Sequence, residues 1–148
     1  MEDSLQHYMV IDDDKTNNLI CSLIIKKFNK NANVELYLDP EKALTAIAVD
    51  FSNEMNPKPI ILFLDINMPN MSGFEFLDEF LKLDTEIHQY FSIYMLSSAI
   101  EDFQVEAKKY PIVQGFLSKP LKISHLETIW NKQSRVIAVK AEKIGYKD

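Results

Sequence analysis

Cysteine is nearly absent from this chain: Cys21 is the only one in 148 residues. An internal disulfide is therefore excluded, and the apolar helical pattern around Cys21 reads it as a small buried hydrophobe in a reducing compartment. Long hydrophobic runs are lacking as well. None approaches the roughly 20 apolar residues of a membrane helix, and Glu2 and Asp3 open the chain where a secretory signal would carry positive charge. Basic excess is missing too. The formal net charge is −6 with no basic stripe along the main body, which argues against a general nucleic-acid binder. His7, His88 and His125 lie on no metal-like spacing and read as surface or cap residues. These absences leave the expectation of a soluble, cytoplasmic protein. Its 47% hydrophobic and 11% aromatic content suffices for one packed core in one domain.

What is present is an alternation of short apolar runs with helical patterns, the signature of βα units wound around a parallel sheet. Five strands and five helices are expected. The first strand covers about Tyr8 to Ile11, and a helix from Lys15 to Phe28 carries Leu19, Ile20, Leu23, Ile24 and Phe28 at helical spacing, capped by Asp14 or Thr16. The second strand, Val34 to Leu38, alternates apolar and polar residues and belongs near an edge. Asp39-Pro40 then opens a helix whose Ala43, Leu44 and Ile47 face inward. Asp50 to Pro59 reads as a loop. The unbroken run Ile60 to Leu64, ended by Asp65, is what a central strand needs when helices cover both its faces. Ser72 to Glu75 has capping-box spacing ahead of a helix carrying Phe74, Leu77 and Leu81. A strand from Tyr90 to Leu96, a short helix from Glu101 to Tyr110, and a strand from Ile112 to Leu117 follow. A second box, Ser124 to Glu127, opens a last helix with Leu126, Ile129 and Trp130 on its apolar stripe.

The chemistry gathers where these strands end. Asp12 and Asp13 follow the first strand, Asp65 ends the third, Ser97 follows the fourth, and Lys119 follows the fifth just before Pro120. In an open parallel sheet ligands bind beyond the carboxyl ends of the strands. Three acids gathered there repel one another unless a hard divalent cation such as Mg²⁺, which prefers oxygen ligands, offsets the charge. Taken singly, each aspartate and Ser97 is better read as a cap or turn former, and Lys119 as a solvated lysine. Only the constellation overturns those readings.

In this constellation the chain resembles the receiver domain of two-component response regulators, from about Tyr8 to Asn131. The features that carry the likeness are the acidic pair Asp12-Asp13, the loop Asp65-Ile66-Asn67-Met68-Pro69 followed by Gly73, the hydroxyl of Ser97, and Lys119-Pro120. The resemblance implies a doubly wound five-stranded parallel sheet of flavodoxin-like order 2-1-3-4-5 with helices on both faces. It implies Asp65 as phosphoacceptor, with Mg²⁺ held by Asp12, Asp13, Asp65 and the backbone carbonyl of Asn67. Ser97 and Lys119 would surround the transferred phosphoryl group, and Lys119 would pair with Asp65 in its absence. Ser97 and Phe116 would form the switch. Phe116 stands where the family often has tyrosine, so an inward-facing ring with no hydroxyl to present is the expected preference. Asn67 and Ala99 stand where the family tunes acyl-phosphate lifetime; asparagine can orient a water and alanine cannot. The Lys119-Pro120 bond is one that similar domains often hold cis.

The implied partners are a histidine kinase or histidine phosphotransfer protein and a downstream protein target, with a homodimer through the face of the fourth helix, fifth strand and fifth helix as a further expectation. No nucleic acid or membrane partner is expected. Residues 1–131 form the receiver, and 132–148 form a mildly basic extension that continues the last helix or makes an arm. That is too short for an output domain, so a stand-alone signalling protein is expected, one that catalyses only its own phosphorylation and dephosphorylation. Two other classes remain open at this point. A Mg²⁺-dependent aspartyl-phosphate phosphohydrolase would carry a second aspartate where this chain has Asn67, and a cap insertion for which there is no room. A phosphate-independent interaction module would merely retain the acidic pocket.

Overall fold

The computed structural model describes residues 6–53, 56–99 and 102–143, with side-chain surroundings described as far as residue 133. Its elements run β1 (His7–Ile11), α1 (Lys15–Phe28), β2 (Asn33–Tyr37), α2 (Pro40–Asn53), β3 (Ile60–Asp65), α3 (Gly73–Phe80), α4 (Thr85–His88), β4 (Phe91–Ser97), α5 (Gln104–Lys109), β5 (Val113–Ser118) and α6 (Ile123–Lys143). All five strands are parallel, in the order β2-β1-β3-β4-β5. The expected sheet is therefore the observed one. Glu101, where the fourth helix was expected to open, and the end of the extension from Ile144 to Asp148 lie outside the described residues.

Alternation along the central strands builds two cores, one on each face. Met9, Ile11, Leu62, Leu64, Ile93 and Met95 point to one side, where Ala43 and Ile47 of α2 and Phe76, Leu77 and Phe80 of α3 cover them. Tyr8, Val10, Ile61, Phe63, Tyr94 and Leu96 point to the other, against Cys21 and Ile25 of α1 and Leu126 and Ile129 of α6. Trp130 is half-buried beside that stripe. β2 is an edge strand that ends at Tyr37, one residue short of the expected Leu38, and Leu36 within it and Leu38 just after it are exposed.

Local chemistry sets the helix ends. Asp14 caps α1, accepting from the Thr16 and Asn17 N–H groups at 2.9 and 3.3 Å. Ser72 and Glu75 close the expected reciprocal box on α3, each bond 3.1 Å long. The second box does not form as read: α6 begins at Ile123, and the Lys122 N–H donates to His125 Nδ1 at 3.0 Å, so His125 takes the role expected of Glu127, three residues into the helix and accepting the N–H of the residue before the helix. α2 continues through the segment read as a loop, as far as Asn53. The one-turn α4, unanticipated, fills the connection from α3 to β4, and His88 Nε2 lies 2.9 Å from the Phe80 carbonyl.

α1 is rotated relative to its expected face. Asn17, Asn18, Cys21 and Ile25 are buried, while Leu19 and Leu23 are 56% and 61% exposed. The amide nitrogens of both asparagines find acceptors inside, which offsets the cost of burying them even though Asn18 Oδ1 is buried without a partner among the described residues. In α3, likewise, Phe76 and Phe80 take the core positions with Leu77, and Leu81 is exposed.

Candidate functional site

Parallel register brings the polar residues to one end of the sheet. Ile11 pairs with Leu64 and Leu64 with Met95, so Asp12, Asp65 and Ser97 finish neighbouring strands within a residue of one another. The Lys119 N–H donates to the Ser97 carbonyl at 2.8 Å, which extends the β4–β5 ladder by one residue and holds Lys119 beside the end of β4. The Lys119-Pro120 peptide is cis. Gly73 closes the floor: its N–H donates to the Ile66 carbonyl at 2.9 Å, and a Cβ there would lie 2.5 Å from the Asp65 carbonyl oxygen and 2.8 Å from Met95 Cε. Only glycine lets the start of α3 approach the Asp65 backbone so closely.

Asp12, Asp13 and Asp65 each place a carboxylate oxygen within 4.8 Å of the others. Asp12 and Asp65 are buried, whereas Asp13 is exposed. Lys119 reaches between the buried pair, its Nζ 2.8 Å from Asp12 Oδ2 and 3.0 Å from Asp65 Oδ1. It thus pairs with Asp65 as expected, and equally with Asp12. Asp65 Oδ1 also accepts the Asn67 N–H at 3.4 Å, an Asx-type contact that folds the following loop over the site.

Two buried carboxylates with one ammonium make an electrostatically incomplete set. Burial pushes the Asp65 carboxyl up to about 6; the hydrogen bond from Lys119 opposes this, and the charge of Asp12 adds to it. For Lys119, burial works to lower the pKa, but the hydrogen bonds and charges of Asp12 and Asp65 outweigh it and the ammonium titrates above its usual range. An oxygen-only cluster with surplus negative charge fits a hard divalent cation of the Mg²⁺ type. Asp12, Asp13 and Asp65 are the side chains that would hold it, and the exposure of Asp13 leaves the approach open to solvent and ligand waters.

Ser97 is buried, and its hydroxyl is engaged in a turn, donating to the Ala99 carbonyl at 3.0 Å and accepting the Ala99 N–H at 3.1 Å. Phe116 is half-buried rather than fully inward. Its ring stacks on Phe103, at the N-terminus of α5, with centroids 4.8 Å apart and planes 8° from parallel. The far end of α5 is held to α3, since Tyr110 stacks on Phe74 at 5.4 Å and donates from its hydroxyl to Asp78 Oδ1 at 2.8 Å.

Asn17 and Asn18 were not anticipated. Asn17 Nδ2 donates to Asp12 Oδ2, and Asn18 Nδ2 donates to the Asp12 and Tyr37 carbonyls at 3.0 and 3.2 Å. Two adjacent amides, a helical turn past an acidic pair and among apolar residues, were the available signal.

The profile described as the response regulator receiver domain matches residues 8–131. Among curated proteins, the chain is 28% identical over 134 residues to the Dictyostelium discoideum 3',5'-cyclic-nucleotide phosphodiesterase regA, covering 84% of this chain and 16% of that protein. The chain thus spans about a sixth of that relative. Among solved structures, a two component response regulator from Cytophaga hutchinsonii is 25% identical, with a TM-score of 0.76 over 86% of this chain and 95% of that one. A response regulator receiver protein from Dyadobacter fermentans, 20% identical, superposes with a TM-score of 0.75 over 87% and 97% of the two chains.

Proposed function

Because the chain belongs to the response regulator receiver domain family, we propose that it accepts a phosphoryl group on Asp65 from a phosphohistidine of a kinase or phosphotransfer protein. The observation that carries this reading is the Lys119 ammonium shared between the Asp12 and Asp65 carboxylates at the carboxyl end of the sheet. A bound Mg²⁺ supplies charge neutralisation for the transferred group and the acids. The chain's own residues do the rest. An Asp65 carboxylate oxygen forms the new bond to phosphorus, the phosphorus–nitrogen bond breaks, and its electron pair leaves on the imidazole. Positioning and charge neutralisation dominate such transfers, because the protein has little covalent chemistry to perform.

Lys119 moves from its carboxylate partners to a phosphoryl oxygen, and Ser97 leaves its turn to donate to another. Lys119 exchanges its charge-assisted contacts with the two carboxylates for one with the phosphoryl group, and Ser97 exchanges a neutral hydrogen bond for a charge-assisted one. The Ser97 movement vacates space beside β5, and Phe116 turns into it, giving up its stack on Phe103. That stack is worth about 0.5–1.5 kcal/mol, small enough for burial of the ring to offset. The surface of α5, β5 and α6 is then what a downstream protein reads. Leu19, Ile20 and Leu23, exposed on α1 close to the acidic pair, form an apolar patch suited to receiving the donor protein. In this reading the domain is a signalling switch, and it catalyses only its own modification.

The test is titration with beryllium trifluoride, a phosphoryl mimic, followed by amide NMR. A Mg²⁺-dependent complex that shifts the Ser97, Phe116 and α5 resonances, and is lost in Asp65→Asn, is expected. Absence of any complex at saturating Mg²⁺ refutes the proposal, and a complex with Phe116 unmoved refutes the switch.

A further inference from the structure

We infer that Asn17 is a positioning residue for the acidic centre, its amide holding the Asp12 carboxylate in its cation-facing orientation when Lys119 leaves. The inference rests on the proposed reading of the centre as a divalent-cation site.

Asn17 stands on the inward face of α1, where an apolar residue would pack without penalty, yet it is only 8% exposed. Its Nδ2 hydrogens are both directed: one to Asp12 Oδ2, the other to Cys21 Sγ, 3.8 Å away and one turn further along the helix. The amide orientation is dictated by chemistry, since the opposite flip would set an amide oxygen against a buried carboxylate. The lone thiol thereby acquires a use. Burial pushes Cys21 up to about 12, so it stays a neutral acceptor for the amide and is no nucleophile.

The carboxylate of Asp12 has three donors. Oδ1 takes the Asp14 N–H at 2.9 Å, and Oδ2 takes Asn17 and Lys119. Of these, Lys119 is the one shared with Asp65 and required elsewhere once a phosphoryl group arrives. Without Asn17, the fully buried Asp12 carboxylate would then be held on one oxygen only and free to turn about its terminal torsion. With it, both oxygens stay pinned, and the lone pairs not facing Asn17 and Asp14 remain directed into the cluster. Asn18 fixes the backbone beneath, tying the Asp12 carbonyl to that of Tyr37 on β2. Partners that orient metal-binding carboxylates typically change cation affinity by about 10–100-fold when removed.

The test is calorimetric titration of the full chain with MgCl₂ in the presence of beryllium trifluoride, the phosphoryl mimic that draws Lys119 away from Asp12, for the native protein, Asn17→Ala and the nearly isosteric Asn17→Leu, with unfolding curves in EDTA to establish that each variant is folded. Both variants are expected to bind Mg²⁺ about tenfold more weakly or worse, and the Mg²⁺ needed for half-maximal labelling by acetyl phosphate is expected to rise in parallel. Native affinity in Asn17→Leu, with or without weakening in Asn17→Ala, reduces Asn17 to packing and overturns the inference while leaving the proposed function intact. Failure of the native protein to bind Mg²⁺ overturns both.

Discussion

Replacing Asp65 by asparagine is expected to stabilise the metal-free protein above neutral pH while abolishing phosphoryl acceptance. Asp65 is buried beside Asp12, and burial raises its carboxyl from the ordinary 3.8 to about 6. A carboxyl whose folded pKa exceeds its unfolded one binds its proton more tightly when folded. The folded state is therefore favoured below about pH 4 and loses that advantage as pH rises through about 6. The loss amounts to roughly 3 kcal/mol at 1.36 kcal/mol per pKa unit. Asparagine has the same shape, cannot ionise, and leaves Lys119 its 2.8 Å partner in Asp12. The two proteins should be nearly equally stable at about pH 4, and the variant more stable by up to roughly 3 kcal/mol above about pH 7. That corresponds to about 6–12 °C in Tm for a chain of this size. Guanidinium unfolding in EDTA, followed by Trp130 fluorescence across this range, measures the difference. Parallel pH profiles, or a native protein that gains on the variant as pH rises, would refute the reasoning. Saturating Mg²⁺ should narrow the gap, because it binds the folded native protein preferentially.

Other substitutions separate the contributions. Lys119→Met strands two buried carboxylates and should cost about 3–5 kcal/mol at neutral pH, with much of the loss recovered on adding Mg²⁺ in the same unfolding assay. Gly73→Ala drives a Cβ to 2.5 Å from the Asp65 carbonyl oxygen. It should lower stability by about 1–3 kcal/mol and slow acetyl phosphate labelling, read by denaturation and mass spectrometry. Leu23→Glu alters a residue 61% exposed; stability should change by less than about 0.5 kcal/mol, and labelling by acetyl phosphate should persist while transfer from a protein donor slows. Labelling needs ionised Asp65, so at limiting Mg²⁺ its rate should fall as pH drops through about 6, and higher Mg²⁺ should move that fall to lower pH.

The parts of the fold legible in the sequence were those set by local chemistry. An unbroken apolar run marks β3 as central, alternation marks β2 as an edge, and Ser72 to Glu75 announces the start of α3. The candidate site residues were legible as a group because each stands at a strand end, where a parallel sheet gathers polar side chains, while their proposed roles come from the resemblance. What was hidden depends on partners distant in the chain. Leu19 and Leu23 read as core until Asn18 is seen to bond the Tyr37 carbonyl, 19 residues away, which turns α1 so that amides face inward. The start of α6 at Ile123 was hidden because the acceptor for the Lys122 N–H is the ring of His125, a residue type that the S-x-x-E pattern does not include. Lys119 bridging two acids rather than one follows from the reach of its side chain from the end of β5 to the ends of β3 and β1, which spacing along the chain does not encode. Phe116 finds its half-buried seat through Phe103, whose position depends on where α5 begins.

The central claim, that Asp65 is the phosphoacceptor, is tested most directly by intact mass after incubation with Mg²⁺ and acetyl phosphate. A phosphoryl increment on the native chain, labile to base and hydroxylamine, absent without Mg²⁺ and absent from Asp65→Asn, is the predicted result. An increment that persists in Asp65→Asn, or one stable to hydroxylamine, would place the chemistry on another residue and contradict the account.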